Sequence, residues 1–297
     1  MKYPKHFFAA ISAFIIWGFM SFGVRPLQAY PSLDILFYRV FLCVVLMLAI
    51  NLGFRRKTLH ENIAAIKAIP PKPRNTLFGL IVLSSAVITA NWFFFIYVMN
   101  HISVNTASFA YLVCPIVTTV FAFFLLKERL TKAQWLAVLL SLFSCGLLGI
   151  GHIMDIMYSL VIASTYALYL IMQKKIVAID KFLLLNIQLI ISAIILLPFY
   201  PFFSGPVPVE GKFYFYLVII AVFFTIIPLF LSLYALKKIS SSTVGILMYI
   251  NPLINFFLAI LYYNEIITLT QILAYSIILV SIVIFNAGNF LRQKAQE

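Results

Sequence analysis

The sequence predicts an all-α polytopic membrane protein whose ten transmembrane helices form a 5+5 inverted-topology repeat. Three observations support this prediction: the composition, the spacing of the apolar segments, and a similarity between the two halves. Hydrophobic residues account for 64% of the 297 residues and charged residues for only 10%. Soluble domains are roughly 45–50% apolar and need more polar surface than this chain can supply. A soluble globular protein is therefore excluded.

Ten apolar segments have the length of a helix that crosses a hydrocarbon layer of about 30 Å. They cover residues 7–24, 33–52, 77–99, 104–126, 133–151, 156–173, 182–200, 214–236, 241–262 and 267–288. The first follows two lysines, as a signal peptide would, but it is long and ends without a small-residue cleavage site, so we expect a retained helix. The connection 53–76 predicts a short amphipathic helix before the Pro70-Pro71 break.

The basic residues lie on one side of the predicted membrane. If the N-terminus is cytoplasmic, all 21 Lys and Arg fall in cytoplasmic segments except Arg25, Arg39 and Lys212. Basic loops stay inside, so we expect a multi-pass protein of the cell (inner) membrane with both termini cytoplasmic. The same rule explains the net charge of +13 without nucleic acid. The expected partners are the lipid bilayer and a small-molecule substrate, and the chain is expected to be a monomer or homodimer.

The two halves, residues 1–151 and 152–297, resemble each other at an offset of 137 residues. From Tyr97 to Ser144, 13 of 48 ungapped pairs are identical, and Pro115 then meets Pro252. At this offset the third, fourth and fifth predicted spans align with the eighth, ninth and tenth. Because five is an odd number, the halves must enter the membrane in opposite directions. Inverted repeats of this kind are typical of secondary transporters, whose halves exchange conformations to open one face and close the other.

Two repeated motifs, at 128–134 and 265–271, each combine Glu, Thr and Gln three residues apart. Thr followed by Gln at this spacing before an apolar run is a capping box for the start of a helix. The glutamate would favour the positive end of the same helix. We therefore interpret both motifs as structural.

Pro115 and Pro252 fall near the middle of their spans. Proline removes a backbone hydrogen bond and kinks a helix, and interrupted helices at matching positions of two halves indicate a binding site at the midplane. Proline is also common in membrane helices generally, so a purely structural role stays open. We predict two hinges, with Asn251 beside the second. Asn91 of the third span meets Pro228 of the eighth under the same offset.

Arg39 is the one basic residue well inside a span. An ionisable side chain at such depth is costly and is by default a functional candidate. It lies about 9 Å below the outer end of its helix, at roughly 1.5 Å per residue. It could extend its head group outward, pair with Asp34, or contact a substrate.

Several aromatic residues with polar atoms lie at or near mid-span. Such residues usually anchor a protein at the membrane interfaces, so those at depth face either a cavity or neighbouring helices, and both alternatives stay open. The candidates for substrate contact are Trp17, Trp92, Tyr111, Tyr166 and Tyr249.

Motifs of enzymes and metal sites are absent. The three cysteines lie in apolar segments without metal-ligand spacing, and the chain has no HExxH motif and no glycine-rich phosphate loop. No carboxylate lies near the centre of a span, so no carboxylate relay for protons or sodium is visible. We expect no catalytic residue, no metal and no cofactor.

Several segments together resemble a known family. They are "FIIWG" at Phe14–Gly18, "YRV" at Tyr38–Val40, "ANWFFFIYVMN" at Ala90–Asn100, "LKERLTKAQWLAV" at Leu126–Val138, "MYINPL" at Met248–Leu253 and "NE" at Asn264-Glu265. In order and spacing the chain is similar, over nearly its whole length, to EamA-type transporters of the drug/metabolite transporter superfamily, in the RarD-like subgroup. The resemblance implies ten helices in an inverted repeat, a central cavity, and transport of small metabolites or drugs. Cys114 replaces the family's usual Asn, and Lys127 and Asn264 replace a usual Gly.

These observations lead to one functional hypothesis and its rival. We expect a permease or exporter of amino-acid-like or other small organic solutes, with alternating access and a midplane site. The predicted substrate contacts are Trp17, Arg39, Asn91, Trp92, Tyr111, Tyr166, Tyr249 and Asn251. The rival is a non-transporting membrane receptor or scaffold, for which an inverted repeat has no evident use. A lipid enzyme would need clustered polar residues at one interface, which the sequence lacks.

Overall fold

The computed structural model describes residues 4–101, 104–149, 153–262 and 268–294. This part of the chain consists of helices and short connections and contains no β-strand. The helices of the first half are α1 (Pro4–Gly18), α2 (Met20–Val24), α3 (Ser32–Gly53), α4 (Arg56–Ala68), α5 (Pro71–His101), α6 (Val104–Leu126) and α7 (Lys132–Gly149). Those of the second half are α8 (Ile153–Lys175), α9 (Lys181–Leu196), α10 (Tyr200–Phe203), α11 (Gly211–Ala221), α12 (Ile227–Leu236), α13 (Ser241–Leu247), α14 (Ile250–Leu261) and α15 (Leu269–Lys294).

Helices occupy the position of every predicted span. In the described residues, eight segments are long and apolar enough to cross a membrane, and a ninth results if α1 and the helical segment Met20–Leu27, bent by 43°, form one span. The seventh predicted span corresponds to α9, which has only 16 residues. The structure is therefore that of an all-helical polytopic protein. Ten crossings and the inverted repeat remain predictions.

The eighth predicted span is interrupted before Pro228. A π-helical turn at Val222–Ile226 separates α11 from α12. Proline lacks an amide for the helical ladder, and a wider turn accommodates the missing bond. Within the turn Thr225 Oγ1 donates to the carbonyl of Ile220 at 3.0 Å, which satisfies one of the backbone acceptors.

The ninth predicted span is broken just before Pro252, between α13 and α14. A residue other than proline at this position would donate to the carbonyl of Met248. The amide of Asn251 donates there instead, at 3.1 Å, which tightens the chain locally. In contrast, α6 continues without a break through Pro115. Only one of the two helices with matching prolines is thus interrupted, and the role of either proline as a hinge remains a prediction.

Small polar residues join the two halves along α7 and α15. The hydroxyls of Ser141 and Ser281 lie 2.9 Å apart, and Ser144 Oγ donates to the carbonyl of Ala274 at 2.7 Å. All four residues are buried. Small residues let helix backbones approach closely in a membrane, where packing and interhelical hydrogen bonds replace the hydrophobic driving force.

Gly18 lies where α1 crosses α14. A Cβ atom built on Gly18 would be 2.7 Å from Cβ of Ile254 and less than 3 Å from two further atoms of that side chain. Since Cβ of Ile254 is fixed by its own backbone, a rotamer change cannot remove this overlap. The close approach of the two helices therefore requires glycine at this position.

We expect Gly18→Ala to lower the thermal unfolding temperature, because overpacking costs about 1–3 kcal/mol. Gly18→Ala/Ile254→Ala should not recover the loss, because alanine at position 254 keeps the Cβ atom that the added methyl group meets. Gly79→Ala is the matched control, because no atom lies within 4 Å of its added Cβ. Thermal unfolding in detergent measures all three. Equal unfolding temperatures for Gly18→Ala and Gly79→Ala would contradict the close approach.

Candidate functional site

Arg39 lies in α3, two turns from the start of the helix. Its guanidinium carbon is 5.2 Å from the ring centroid of Trp92 on α5, a cation–π contact. The pairing with Asp34 that the sequence allowed does not form. Both carboxylate oxygens of Asp34 instead accept from the amide of Gly205, at 3.1 and 3.2 Å.

The charge of Arg39 is uncompensated. No carboxylate among the described residues is in ion-pair contact with it, and its buried Nε has no hydrogen-bond partner. The side chain is only half-buried, although it belongs to a span. A cation inside a membrane protein normally pairs with a counter-charge or faces a water-filled cavity. The position therefore has the electrostatics of an anion site.

Two of the predicted tyrosines pack near α5. The ring of Tyr111 on α6 has its centroid 5.5 Å from that of Phe95 on α5, and Tyr166 of α8 packs against the same apolar cluster as Trp92. The buried hydroxyl of Tyr166 makes no hydrogen bond. Its ring centroid is 6.0 Å from that of Tyr169. A buried donor without an acceptor is rare in native structures, and the neighbouring hydroxyl of Ser232 is also buried without a partner.

Trp92 also lines a cavity of about 10 Å³. Its lining includes Trp92, Tyr169, Gln188 and Ser192 together with apolar side chains of α5, α9 and α12. The volume is that of a single water molecule. The ring of Trp92 thus contacts the Arg39 guanidinium and also lines this small, mainly apolar cavity.

A polar seam borders this cavity and was not anticipated from the sequence. Gln188 Nε2 donates to Ser84 Oγ at 2.8 Å and Tyr169 donates to Gln188 Oε1 at 3.4 Å. Thr89 Oγ1 donates to Ser192 Oγ at 2.8 Å. The seam joins α5 to α9 and α8 across the halves. The sequence feature that could have indicated this seam is the pair of polar side chains, Gln188 and Ser192, inside the seventh apolar segment.

The side-chain donors of Asn91 and Trp17 form hydrogen bonds to neighbouring helices. Asn91 Nδ2 donates to the carbonyl of Ile162 at 2.8 Å and to Thr165 Oγ1 at 3.0 Å. Trp17 Nε1 donates to the carbonyl of Phe224 at 2.9 Å, inside the π-helical turn. Both side chains therefore hold helices together in this conformation.

Tyr249 and Asn251 lie at the break between α13 and α14. Tyr249 is fully buried and its hydroxyl makes no hydrogen bond. Asn251 Oδ1 accepts from Nδ2 of Asn255 at 2.8 Å, and Asn255 is exposed. Of the eight predicted contact residues, Arg39 and Trp92 are in direct contact with each other, and the assignment of all eight to one substrate site remains a prediction.

Glu128 has a role that the sequence did not indicate. The predicted capping boxes form, with bonds of 2.9 and 3.2 Å within Thr131–Gln134 and of 2.9 and 3.3 Å within Thr268–Gln271. The carboxylate of Glu128, expected to favour its own helix, instead reaches the start of α13 in the other half. Its counterpart Glu265, like Asn264, lies outside the described residues.

The contact of Glu128 with α13 consists of three hydrogen bonds. The amides of Ser241 and Ser242 donate at 2.8 and 3.0 Å, and the hydroxyl of Ser242 donates at 2.6 Å. Lys127 has a φ of 56°, in the left-handed region that favours glycine. This turn after α6 positions the carboxylate and explains why glycine is usual there in the resembling family.

A second contact closes the same side of the protein. Lys174 Nζ, near the end of α8, donates to the carbonyls of Leu236 and Ile239 at 2.7 and 2.5 Å. These carbonyls belong to the end of α12 and the turn that follows it. Together with Glu128, this lysine holds α6, α8, α12 and α13 together where basic loops connect them.

Long apolar helices joined by buried hydrogen bonds define a class, the polytopic membrane proteins. The model of the EamA-like transporter family matches residues 5–150 and again 153–287. The chain therefore belongs to the EamA-like transporter family and is a multi-pass membrane protein of a transporter family.

Relatives narrow the resemblance to the RarD-like proteins. The chain is 29% identical to "Protein RarD" of Escherichia coli (strain K12), over 93% of this chain and 92% of the relative. It is 29% identical to "Protein RarD" of Streptomyces exfoliatus, over 85% and 79%, and 27% identical to an "Uncharacterized transporter" of Vibrio cholerae serotype O1, over 95% and 92%. A crystal structure with 13% identity matches 99% of both chains with a TM-score of 0.76, which shows the shared fold.

Proposed function

We propose that the protein is a secondary transporter that moves a small organic anion or zwitterion, such as an amino acid, by alternating access. It lies in the inner membrane with both termini cytoplasmic, and its two halves form a 5+5 inverted repeat of ten spans. The observation that carries the proposal is the uncompensated Arg39 beside Trp92. A metabolite carboxylate would supply the missing counter-charge.

The geometry of Arg39 supports recognition of a carboxylate. A planar guanidinium with free donors matches the two oxygens of a carboxylate. The cation–π contact with Trp92 restrains the guanidinium before a ligand arrives. The unpartnered hydroxyl of Tyr166 is available for a second polar group of the substrate.

The distribution of burial supports alternating access. Every residue of α13 is buried, and Glu128 seals its start. In α14 Asn255 is exposed, and an exposed amide on a membrane helix indicates a water-filled opening. We interpret this conformation as closed on the side of the basic loops and open toward the other side.

Some of the buried polar groups without a hydrogen-bond partner lie on the closed side. Both polar atoms of Gln173, near the end of α8, and the hydroxyl of Ser241, at the start of α13, are buried without a partner. Leaving such groups unbonded costs free energy. In the opposite conformation, with this side open to water, they would be hydrated. They thus mark the inner half of the proposed pathway.

Uptake of labelled amino acids into inverted vesicles tests the substrate class. We expect saturable uptake that depends on the protein and is competed by carboxylates of similar size. Saturable transport of cations alone would refute the proposal, because Arg39 would then repel the substrate.

A receptor or scaffold would not depend on a flexible membrane helix. Pro252→Ala restores the backbone donor to Met248 and should straighten α13 and α14, so we expect transport to fall at least about tenfold while the protein stays folded. Pro115→Ala should act in the same direction. Pro73→Ala, in the first turn of α5, is the control. Unchanged uptake in both span variants would remove the hinge from the mechanism.

A further inference from the structure

Helix α4 is held at one surface of the membrane by the chain on both sides of it. It begins three residues after α3 ends at Gly53 and finishes three residues before α5 begins at Pro71. Both neighbours are long and apolar enough to span a membrane. A helix of 13 residues is about 20 Å long, and such short tethers keep it close to the lipid headgroups.

One face of α4 binds the helical bundle. Leu59 and Ile66 pack against an apolar cluster from α5, α9 and the turn between α8 and α9. Arg55, just before the helix, forms an ion pair of 2.9 Å with Asp180, and Asn62 Oδ1 accepts from the amide of Asp180 at 2.8 Å. Because Asp180 belongs to the second half, α4 connects the two halves.

The electrostatics of Asp180 strengthen this connection. Burial raises the pKa of its carboxyl, but hydrogen bonds from Arg55 and from the amide of Leu183 outweigh burial and hold the pKa below its ordinary value. The carboxylate is therefore charged at neutral pH, when it also caps the start of α9. The connection weakens only as the pH falls through this lowered pKa.

The face of α4 beside this contact is exposed, and its Arg56 Nε donates to the carbonyl of Leu52 at the end of α3. Ile63 follows Arg56 by seven residues and Lys67 follows Ile63 by four, so the three side chains lie on one stripe of the helix. All three are exposed. Lys57 is also exposed. Phe54, immediately before the helix, is 90% exposed. Basic head groups next to exposed apolar side chains are typical of helices that lie in a membrane interface.

We propose that this outer face binds the headgroups of anionic phospholipids in the leaflet on the side of the basic loops, and so holds α4 in its contact with both halves. Charge complementarity selects this occupant, because Arg56, Lys57 and Lys67 face outward against the single acidic Glu61. Each basic residue near an anionic surface contributes about fivefold to binding. Phe54 and Ile63 enter the boundary between headgroups and acyl chains.

An environment-sensitive fluorophore on Ile63→Cys tests the proposal in the full-length protein. The three native cysteines are buried, so labelling is selective. The protein is placed in nanodiscs of phosphatidylcholine, or of phosphatidylcholine with about a third phosphatidylglycerol. We expect a blue-shifted emission in the anionic discs that is reversed by high salt, because salt screens surface charges.

A charge-matched pair of variants makes the test specific. Arg56→Gln/Lys57→Gln/Lys67→Gln should abolish the lipid-dependent shift, whereas Lys127→Gln/Arg129→Gln/Lys132→Gln, in another basic loop, should keep it. Unchanged thermal unfolding establishes that each variant is folded. Identical emission in the two lipids, or a lipid-dependent shift that survives in the first variant, would overturn the proposal. The proposal would also be overturned if the emission shifted on addition of a soluble protein but not with anionic lipid.

Discussion

Arg39→Met is expected to lower saturable uptake of a carboxylate substrate at least about a hundredfold without lowering the unfolding temperature. Breaking a buried ion pair with the substrate costs about 3–5 kcal/mol, and each 1.4 kcal/mol is a factor of ten. In the substrate-free protein, however, the guanidinium has no counter-charge among the described residues. Replacing this half-buried, unpaired charge inside a span by an apolar chain of similar length removes a cost that offsets the lost contact with Trp92.

The two measurements, a loss of uptake and an unlowered unfolding temperature, together separate a role in substrate binding from a role in stability. A purely structural arginine would lose stability and transport together. Arg39→Lys keeps the charge but loses the planar donor pair, so we expect an intermediate loss of about tenfold. Lys212→Met is the matched control, because Lys212 is a basic residue outside the basic loops and is exposed at the start of α11. Normal uptake in Arg39→Met would exclude the arginine from the site.

Glu128→Ala is expected to open the side of the basic loops and to slow transport about tenfold. It removes three hydrogen bonds to Ser241 and Ser242, two of them to the unsatisfied amides at the start of α13. Hydrogen bonds to a charged group are each worth about 1.5–3 kcal/mol. The equilibrium between the two access states should therefore shift toward the state that is open on this side.

Native Cys114 reports this shift. It is buried in α6 next to Pro115 and is only 2% exposed, so a small maleimide should not modify it in the unaltered protein. In Glu128→Ala we expect modification from the side of Glu128, located on the peptide by mass spectrometry. Glu61→Gln, an exposed glutamate on α4, is the control. Unaltered protection of Cys114 with unaltered transport would show that Glu128 does not close the pathway.

The sequence predicted the class of fold because the bilayer restricts the possible structures. Every backbone polar group in a membrane must be bonded internally, so apolar segments of span length become helices, and their approximate positions agree with the structure. The capping boxes at Thr131–Gln134 and Thr268–Gln271 were also predictable, since both partners lie within four residues of each other. The helix before Pro70 was also predictable, because it lies in a long basic connection that ends at the Pro70-Pro71 break.

The candidate site was predicted only in part. Arg39 and Trp92 were singled out separately, from depth and from residue type, and the structure places one over the other. Asn91 and Trp17 were chosen on the same grounds, yet their donors bind Ile162, Thr165 and Phe224. Whether a polar atom at mid-span faces a cavity or a neighbouring helix depends on helix rotation, which residue type does not encode.

What the sequence by itself determined is local: helical segments from hydropathy and caps from short spacings. What only the tertiary structure decided is which distant groups meet. Asp34 binds Gly205 rather than Arg39, and Glu128 caps α13 rather than its own helix. The physical reason is that such contacts join residues more than a hundred positions apart, and their partners are selected by packing of whole helices.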